Sequence, residues 1–269
     1  MEFIVTQNGV EQSNESNSLQ INTERPVYEV IRVMDGKALF LEDHFKRLVS
    51  SIQIRGIMFE MKFSEFRQHI VELTKFNGKQ NGNVKFILSE VHNENHWSLS
   101  FIPHSYPTSN DYEKGVATGL FIAERENPNA KIVQKGMIEK VNQWISDKKL
   151  YEVLLVDRNG MITEGSRSNV FFVNGNKFYT APASKVLVGV TRTKVIECID
   201  ELDFTVIEEA VLASETGMFD AVFLTGTSPK VLPVNSIDSI HFEVKNIFVE
   251  QLMAKYNSMI DTYLNQQVN

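Results

Sequence analysis

EGSRSNVFFVNGNKFYTAPASKVLVGVTR, residues 164–192, is the stretch from which the fold can be read. Glu164 stands on a turn that leads into Asn169-Val-Phe-Phe-Val173, an apolar run of strand length and strand composition. Asn174-Gly175 follows, the pair a two-residue hairpin favours because both of its central positions take positive φ. A second short strand, Lys177 to Thr180, gives way to a loop that ends in Gly189-Val190-Thr191. A helical pattern then runs from Arg192 to about Leu202. A carboxylate, a polar Ser-Arg-Ser-Asn run and a glycine-led helix start thus lie within about one hairpin of each other. The first N–H groups of a helix lack intrahelical acceptors and make an anion site. A carboxylate held near such a cradle suits a ligand with one cationic end and one phosphate end.

The bulk composition narrows the class. A chain of 269 residues with 42% hydrophobic and 10% aromatic content can bury a sizeable core, as one large domain or two small ones. A formal charge of −7 argues against nucleic acid, which calls for a basic field. The single cysteine, Cys198, excludes an intrachain disulfide, and with six histidines it excludes a Cys-rich metal site. Within Val195-Ile-Glu-Cys-Ile199 it reads as a small buried helix residue. No apolar run approaches the ~18–20 residues of a membrane span, and MEFIVTQNGV lacks a signal-peptide layout, so a soluble cytoplasmic protein is expected.

Taken in order, Glu2–Thr6 reads as a strand and the polar segment Glu11–Glu24 as an irregular excursion. Val27–Val33 alternates as a strand, Asp35-Gly36 turns it, and Ala38–Leu41 is its partner. Glu42-Asp43 opens a helix with acidic residues at its positive end, and Leu41, Phe45, Leu48 and Ile52 keep helical spacing. Ser64 is placed to cap a second helix that Asn77-Gly78 ends. Asn83–Val91 and Trp97–Pro103 read as strands, and Ser105–Lys114 as a polar, proline-bearing stretch suited to a boundary. Beyond it come the strand-like Val116–Ala123, a turn at Asn127–Lys131, and a helix from about Gln134 to Lys149. Strands at Tyr151–Asp157, Phe204–Ile207, Ala221–Leu224 and Val231–Val234, a short helix at Val211–Thr216 and a long amphipathic helix from Val244 complete the pattern. Two domains follow: a small α+β domain over 1–113, a linker over 114–121, and a larger mixed α/β domain over 122–269.

Three lysines, Lys131, Lys135 and Lys140, lie upstream of Glu164 as candidates for a reactive amine. Such an amine needs a rigid strand end or helix entry and a desolvated pocket where it can lose its proton. Lys140 falls mid-helix beside Glu139, where an exposed charged face is the plain expectation, and Lys135 opens the same helix. Lys131 ends the turn and precedes apolar Ile132-Val133. His44 reads as a packing or capping residue, and His92 and His96 as solvated loop residues without a third ligand, so no metal is expected.

Leu41-Glu-Asp-His-Phe-Lys-Arg-Leu48, Glu164-Gly-Ser-Arg-Ser-Asn169, Gly189-Val-Thr-Arg192 and Phe223-Leu-Thr-Gly-Thr227 together resemble the ordered signature of the class IV aminotransferases. These are the fold-type IV pyridoxal phosphate enzymes, which include branched-chain aminotransferase, D-amino acid aminotransferase and aminodeoxychorismate lyase. The resemblance runs from about Val27 to Val234. It implies an α/β protein of D-amino acid aminotransferase-like, fold-type IV form, pyridoxal phosphate as cofactor, amino and keto acids as substrates, and a homodimer. It selects Lys131 as the catalytic, cofactor-holding lysine, since the family's lysine precedes a helix about twenty residues before the strand that leads to the acid. Glu164 takes the role of partner to the protonated pyridine nitrogen. Arg47, Val190, Thr191 and Thr227 become the phosphate ligands, Tyr28 an aromatic on the substrate side, and Asn169 and Arg192 supporting residues.

The reaction so implied is amino transfer between an amino acid and a 2-keto acid, the alternative being pyruvate elimination from 4-amino-4-deoxychorismate. The sequence departs from the D-amino acid pattern at Glu90-Val-His-Asn-Glu-Asn-His96, which holds no arginine, and at Thr23-Glu-Arg-Pro26, where glycine is usual. The presence of both Lys131 and Glu164 argues against a non-catalytic binding protein on the same scaffold.

Overall fold

A computed structural model of the protein describes residues 2–13, 25–92 and 94–267. The polar excursion expected over Glu11–Glu24 lies outside these residues from position 14 onward. The chain divides into two units, one of Met1–Ser105, Ala130–Gln134 and Thr262–Asn269, the other of Tyr106–Asn129 and Lys135–Asp261.

The first unit contains strands β1 (Phe3–Thr6), β2 (Gly9–Gln12), β3 (Val27–Met34) and β4 (Lys37–Ala38), helices α1 (Leu41–Arg55) and α2 (Phe63–Asn77), and strands β5 (Gly82–Val91) and β6 (Glu94–Ile102). The strands form an antiparallel sheet in the order β2-β1-β6-β5-β3-β4. Strand β3 alternates strictly: Val27, Glu29, Ile31 and Val33 are buried, while Tyr28, Val30 and Arg32 face the other side. On the buried side, Leu41, Leu48 and Ile52 of α1 and Phe66, Ile70 and Leu73 of α2 pack onto Ile31, Val84, Phe86 and Leu99. Trp97 stacks on Phe86 at 5.6 Å, which closes the aromatic part of this core. Asp35 and Gly36 both take positive φ, as their hairpin requires, and Gly56 and Gly78 end the two helices in the left-handed region. The second helix is capped by Lys62, whose N–H donates to Glu65 at 3.1 Å, so Ser64 lies within the first turn and does not form the cap.

The second unit holds helix α3 (Ser109–Lys114), β7 (Val116–Ile122), α4 (Lys135–Lys148), β8 (Glu152–Val156), β9 (Met161–Gly165), β10 (Asn169–Asn174) and β11 (Lys177–Tyr179). Then come α5 (Val190–Glu201), β12 (Thr205–Ile207), β13 (Val211–Leu212), β14 (Ala221–Gly226), β15 (Lys230–Ile237), β16 (Ile240–His241) and α6 (Ile247–Gln266), whose residues from Thr262 belong to the first unit. The sheet runs β12-β11-β10-β14-β15-β7-β8-β9-β13 with β16 against β15. Strands β7–β8, β7–β15 and β11–β12 pair in parallel and the others antiparallel, so the sheet is mixed.

Phe171 and Phe223 stack across β10 and β14 at 5.0 Å, and α5 buries Val195, Cys198 and Ile199. Burial pushes the Cys198 thiol up to about 11, consistent with an inert core residue. Two expectations are corrected here. Residues 114–121 are the end of α3 and most of β7, because Val116 and Leu120 complete a strand that β8 and β15 flank. Val211–Leu212 pairs with β9 as a strand and leads into a 3₁₀ turn at Ala213–Met218, where a helix was expected from Val211.

Candidate active site

Lys131 belongs to the first unit, although its sequence neighbours on both sides belong to the second. The segment 130–134 lies along β3 as a short added strand. Tyr28 N–H donates to the Lys131 carbonyl at 3.0 Å, Val133 N–H donates to Pro26 O at 3.1 Å, and Ile132 bridges Val27. From the other side, Lys131 N–H donates to Ser51 Oγ at 3.1 Å, and Ser51 Oγ donates to the Arg47 carbonyl at 2.9 Å. Ala130 and Ile132 are buried, so strand alternation turns Lys131 to the opposite side. There its Nζ lies 4.8 Å from the centroid of the Tyr28 ring. Lys140 is exposed on α4, and the side chain of Lys135 lies outside the described residues.

Arg47 is anchored by a residue that sequence reasoning did not single out. Glu29 is fully buried, and its carboxylate accepts from Arg47 Nε at 2.9 Å and Nη2 at 2.5 Å, from His44 Nδ1 at 3.0 Å and from its neighbour Val30 N–H at 2.9 Å. Burial by itself would raise its pKa. The adjoining Arg47 charge and the bonds from His44 and Arg47 outweigh burial and hold the carboxyl well below the usual carboxylate range. Burial lowers the pKa of His44, against the pull of Glu29 and with the push of Arg47 and Lys131, so its neutral ring donates from Nδ1. The available signal was a charged residue in the buried row of an alternating strand.

In the second unit, Glu164 lies on β9 and is buried. Arg125 Nε stands 2.9 Å from one of its oxygens, and Leu187 N–H donates to the other at 3.2 Å. Arg125 Nη2 also donates to the Ser166 carbonyl, tying the acid to the turn that follows it. That turn is organised by Glu152, a buried carboxylate of β8. It accepts from Ser166 N–H (3.2 Å), Ser166 Oγ (2.5 Å), Arg167 N–H (3.1 Å) and Ser168 Oγ (3.1 Å). Glu152→Ala strips a buried turn of four acceptor contacts and is expected to cost about 3 kcal/mol. A thermal melt lying within a degree of the wild type would refute that role.

Asn169 joins the remaining motifs. It stands opposite Thr225 of β14 in register, its Nδ2 donates to Leu187 O at 2.9 Å, and its Oδ1 occupies the space a side chain at Gly189 would fill. Gly189 precedes α5 in extended conformation, and the first helical bond runs from Thr193 N–H to Gly189 O. Val190, Thr191 and Arg192 therefore carry the N–H groups that have no helical acceptor. The side chains of Val190 and Thr191 are buried, and Arg192 donates instead to Ala181 O (3.0 Å) and Glu208 (2.8 Å). Thr227 lies on the turn between β14 and β15, where a side chain at Gly226 would crowd the Pro229 ring. The Thr225 hydroxyl is buried and has no hydrogen-bond partner among the described residues.

Of the residues singled out in the sequence, Tyr28, Arg47 and Lys131 lie in the first unit, and Glu164, Val190, Thr191 and Thr227 in the second. Arg125, Glu29 and Glu152 were missed. Each acts on a residue distant in sequence, and only Glu29 broke a local pattern. Among the described residues no cluster of three or more metal-ligating side chains occurs, and no helix is long and apolar enough to cross a membrane.

The family model for amino-transferase class IV matches residues 26–237. D-alanine aminotransferase of Bacillus licheniformis is 28% identical over 224 residues, covering 79% of this chain and 78% of that protein. The crystal structure of a putative branched-chain amino acid aminotransferase from Thermotoga maritima is 27% identical with a TM-score of 0.81, over 96% of this chain and 95% of that one. A putative 4-amino-4-deoxychorismate lyase from Legionella pneumophila shares the fold at 23% identity and a TM-score of 0.79, over 87% and 90% of the two chains. With a match over most of its length and four motifs in order, the chain belongs to the class IV aminotransferases, enzymes that work with pyridoxal phosphate.

Proposed function

We propose that the protein transfers an amino group between an amino acid and a 2-keto acid, with Lys131 as the catalytic lysine. The observation that carries this reading is the fixation of Lys131: its N–H and carbonyl are both bonded, and its amine stands over Tyr28. The residues present fit pyridoxal phosphate. Glu164 is a buried carboxylate for the ring nitrogen, and Arg125 supplies its counter-charge. The N–H groups of Val190 and Thr191, the Thr227 turn and the spare Thr225 hydroxyl suit a phosphate. Arg47 adds a guanidinium oriented by Glu29. When bound, the cofactor supplies an electron sink for the pair released at the substrate α-carbon. The Lys131 amine then moves the proton from that carbon to the carbon that accepts nitrogen, alternating as base and acid. A homodimer belongs to the same reading.

Pyruvate elimination from 4-amino-4-deoxychorismate would use the same lysine, acid and phosphate donors, and the Legionella likeness bears on fold alone. The test is the visible spectrum of the purified, cofactor-loaded protein with D-alanine, L-glutamate or a branched-chain amino acid. Conversion to the pyridoxamine spectrum with release of a keto acid is expected. Pyruvate formed from aminodeoxychorismate, with no response to any amino acid, would overturn the reading. Glu164→Gln is expected to lower kcat about a hundredfold or more, because the partner of the ring cation is gone. An unchanged kcat in that variant would remove Glu164 from the site.

A further inference from the structure

The face of the first unit's sheet opposite α1 and α2 carries a second ammonium group. Lys85 of β5 stands in register with Val30 of β3 and Ser100 of β6, and the next row on the same face is Tyr28, Ile87 and Ser98. Its Nζ lies 5.4 Å from the centroid of the Tyr28 ring, the same ring that Lys131 Nζ approaches at 4.8 Å. One aromatic ring therefore holds two cations, an arrangement whose mutual repulsion an anion would relieve. Burial contributes most to a lowered pKa at Lys85, Tyr28 works against that shift, and the Lys131 charge adds to it. Among the described residues no carboxylate lies within ion-pair distance of Lys85.

On its other flank Lys85 lines a cavity of about 250 Å³ together with Ile4, Ile87, Ser98 and Ser100. The space is large enough for a carboxylate and a few carbon atoms. The hydroxyls of Ser13, Ser98 and Ser100 border it, as does Glu2, whose carboxylate is paired with Lys79 at 2.7 Å.

We propose that Lys85 is a specificity-determining residue: it receives a carboxylate of the amino- or keto-acid substrate, helped by Ser98 and Ser100, while the substrate's amino group is presented to Lys131 across the Tyr28 ring. This rests on the role given to Lys131 above. The partly desolvated ammonium binds a carboxylate more strongly than a solvated lysine can, since less water must be displaced at the moment of binding. The incoming charge also offsets the repulsion between the two lysines.

The test uses the pyridoxal phosphate-loaded wild type, Lys85→Gln and Lys85→Arg. Calorimetric titration with propionate reads carboxylate binding without turnover, and steady-state kinetics with the preferred amino acid reads KM and kcat. Lys85→Gln is expected to weaken propionate binding and raise KM by about tenfold or more, the loss falling on KM more than on kcat. Lys85→Arg is expected to stay within about threefold of the wild type, because the charge is kept. Propionate binding and KM that are both unchanged in Lys85→Gln would overturn the proposal. So would an arginine variant as impaired as the glutamine one when both melt like the wild type. A wild type that reacts with no amino acid would defeat the aminotransferase reading instead, and the propionate titration would still decide Lys85.

Discussion

Lys131→Ala is expected to lose turnover by roughly a thousandfold or more while keeping its fold, because the substitution removes the only group proposed to carry the proton. The backbone of residue 131 makes its bonds to Ser51 and Tyr28 through N–H and C=O, and neither depends on the side chain. The side chain also stands opposite the buried Ala130 and Ile132, so its loss opens no core cavity. The melting temperature should therefore shift by only a few degrees. Borohydride reduction followed by peptide mapping gives the decisive reading. The wild type should carry the reduced cofactor on the peptide containing Lys131, and the variant should carry none. An adduct mapped to Lys135 or Lys140, or full activity in the variant, would transfer the catalytic role elsewhere.

The second large effect concerns Glu29. Glu29→Ala leaves the Arg47 guanidinium beside a buried gap, and removing one partner of a buried ion pair costs about 3–5 kcal/mol. Glu29→Gln keeps the volume but not the charge, and it permits a sharper test through pH. The folded-state pKa of Glu29 is depressed, so its stabilisation is fully present above the unfolded value of about 4.3 and is lost as pH falls below it. His44, kept neutral by burial, adds a loss that begins as pH drops through about 6.5, where the unfolded chain takes up the proton first. Urea unfolding of the wild type between pH 6 and pH 3 should thus show a steeper decline than in Glu29→Gln. Parallel pH profiles would show that the triad contributes no proton-linked stability. The same variant should weaken cofactor phosphate affinity if Arg47 is a phosphate ligand, since the fork loses its orientation.

Local chemistry made much of the fold legible. Asp35-Gly36 announced a hairpin because few residue pairs accept two positive φ values in succession, and both residues take them. The second hairpin also occurs, but Asn174 pairs with Lys177 and the turn is Gly175-Asn176, with Gly175 alone at positive φ. The alternation in Val27–Val33 and the Asn77-Gly78 pair fixed one strand and one helix end for equally local reasons. The polar, proline-bearing Ser105–Lys114 begins where the first unit's N-terminal segment ends, at Ser105, and the strand read at Val116 is β7, so only the linker drawn over 114–121 was misplaced. In the site, the motif residues could be named individually. Their supports could not: Arg125 reaches Glu164 across 39 positions of chain, and Arg47 reaches Glu29 across 18 once α1 lies on β3. Lys85 occupied an ordinary outward strand position, which reads as solvent-facing until Tyr28 and Lys131 are seen beside it.

The borrowed strand at 130–134 sets a rule for chimeras of this chain. An exchange at the seam between Ser105 and Tyr106 would bring in a foreign Tyr28 and Ser51 while retaining a Lys131 segment fitted to the old ones. Tyr263, whose hydroxyl accepts from Leu41 N–H at 2.9 Å and donates to Glu42 at 2.5 Å, would be stranded in the same way at the far end of the chain. The heritable block is therefore discontinuous: residues 2–105, 130–134 and 262–267 must descend together, and a crossover that respects only the linear order parts the lysine from its own scaffold.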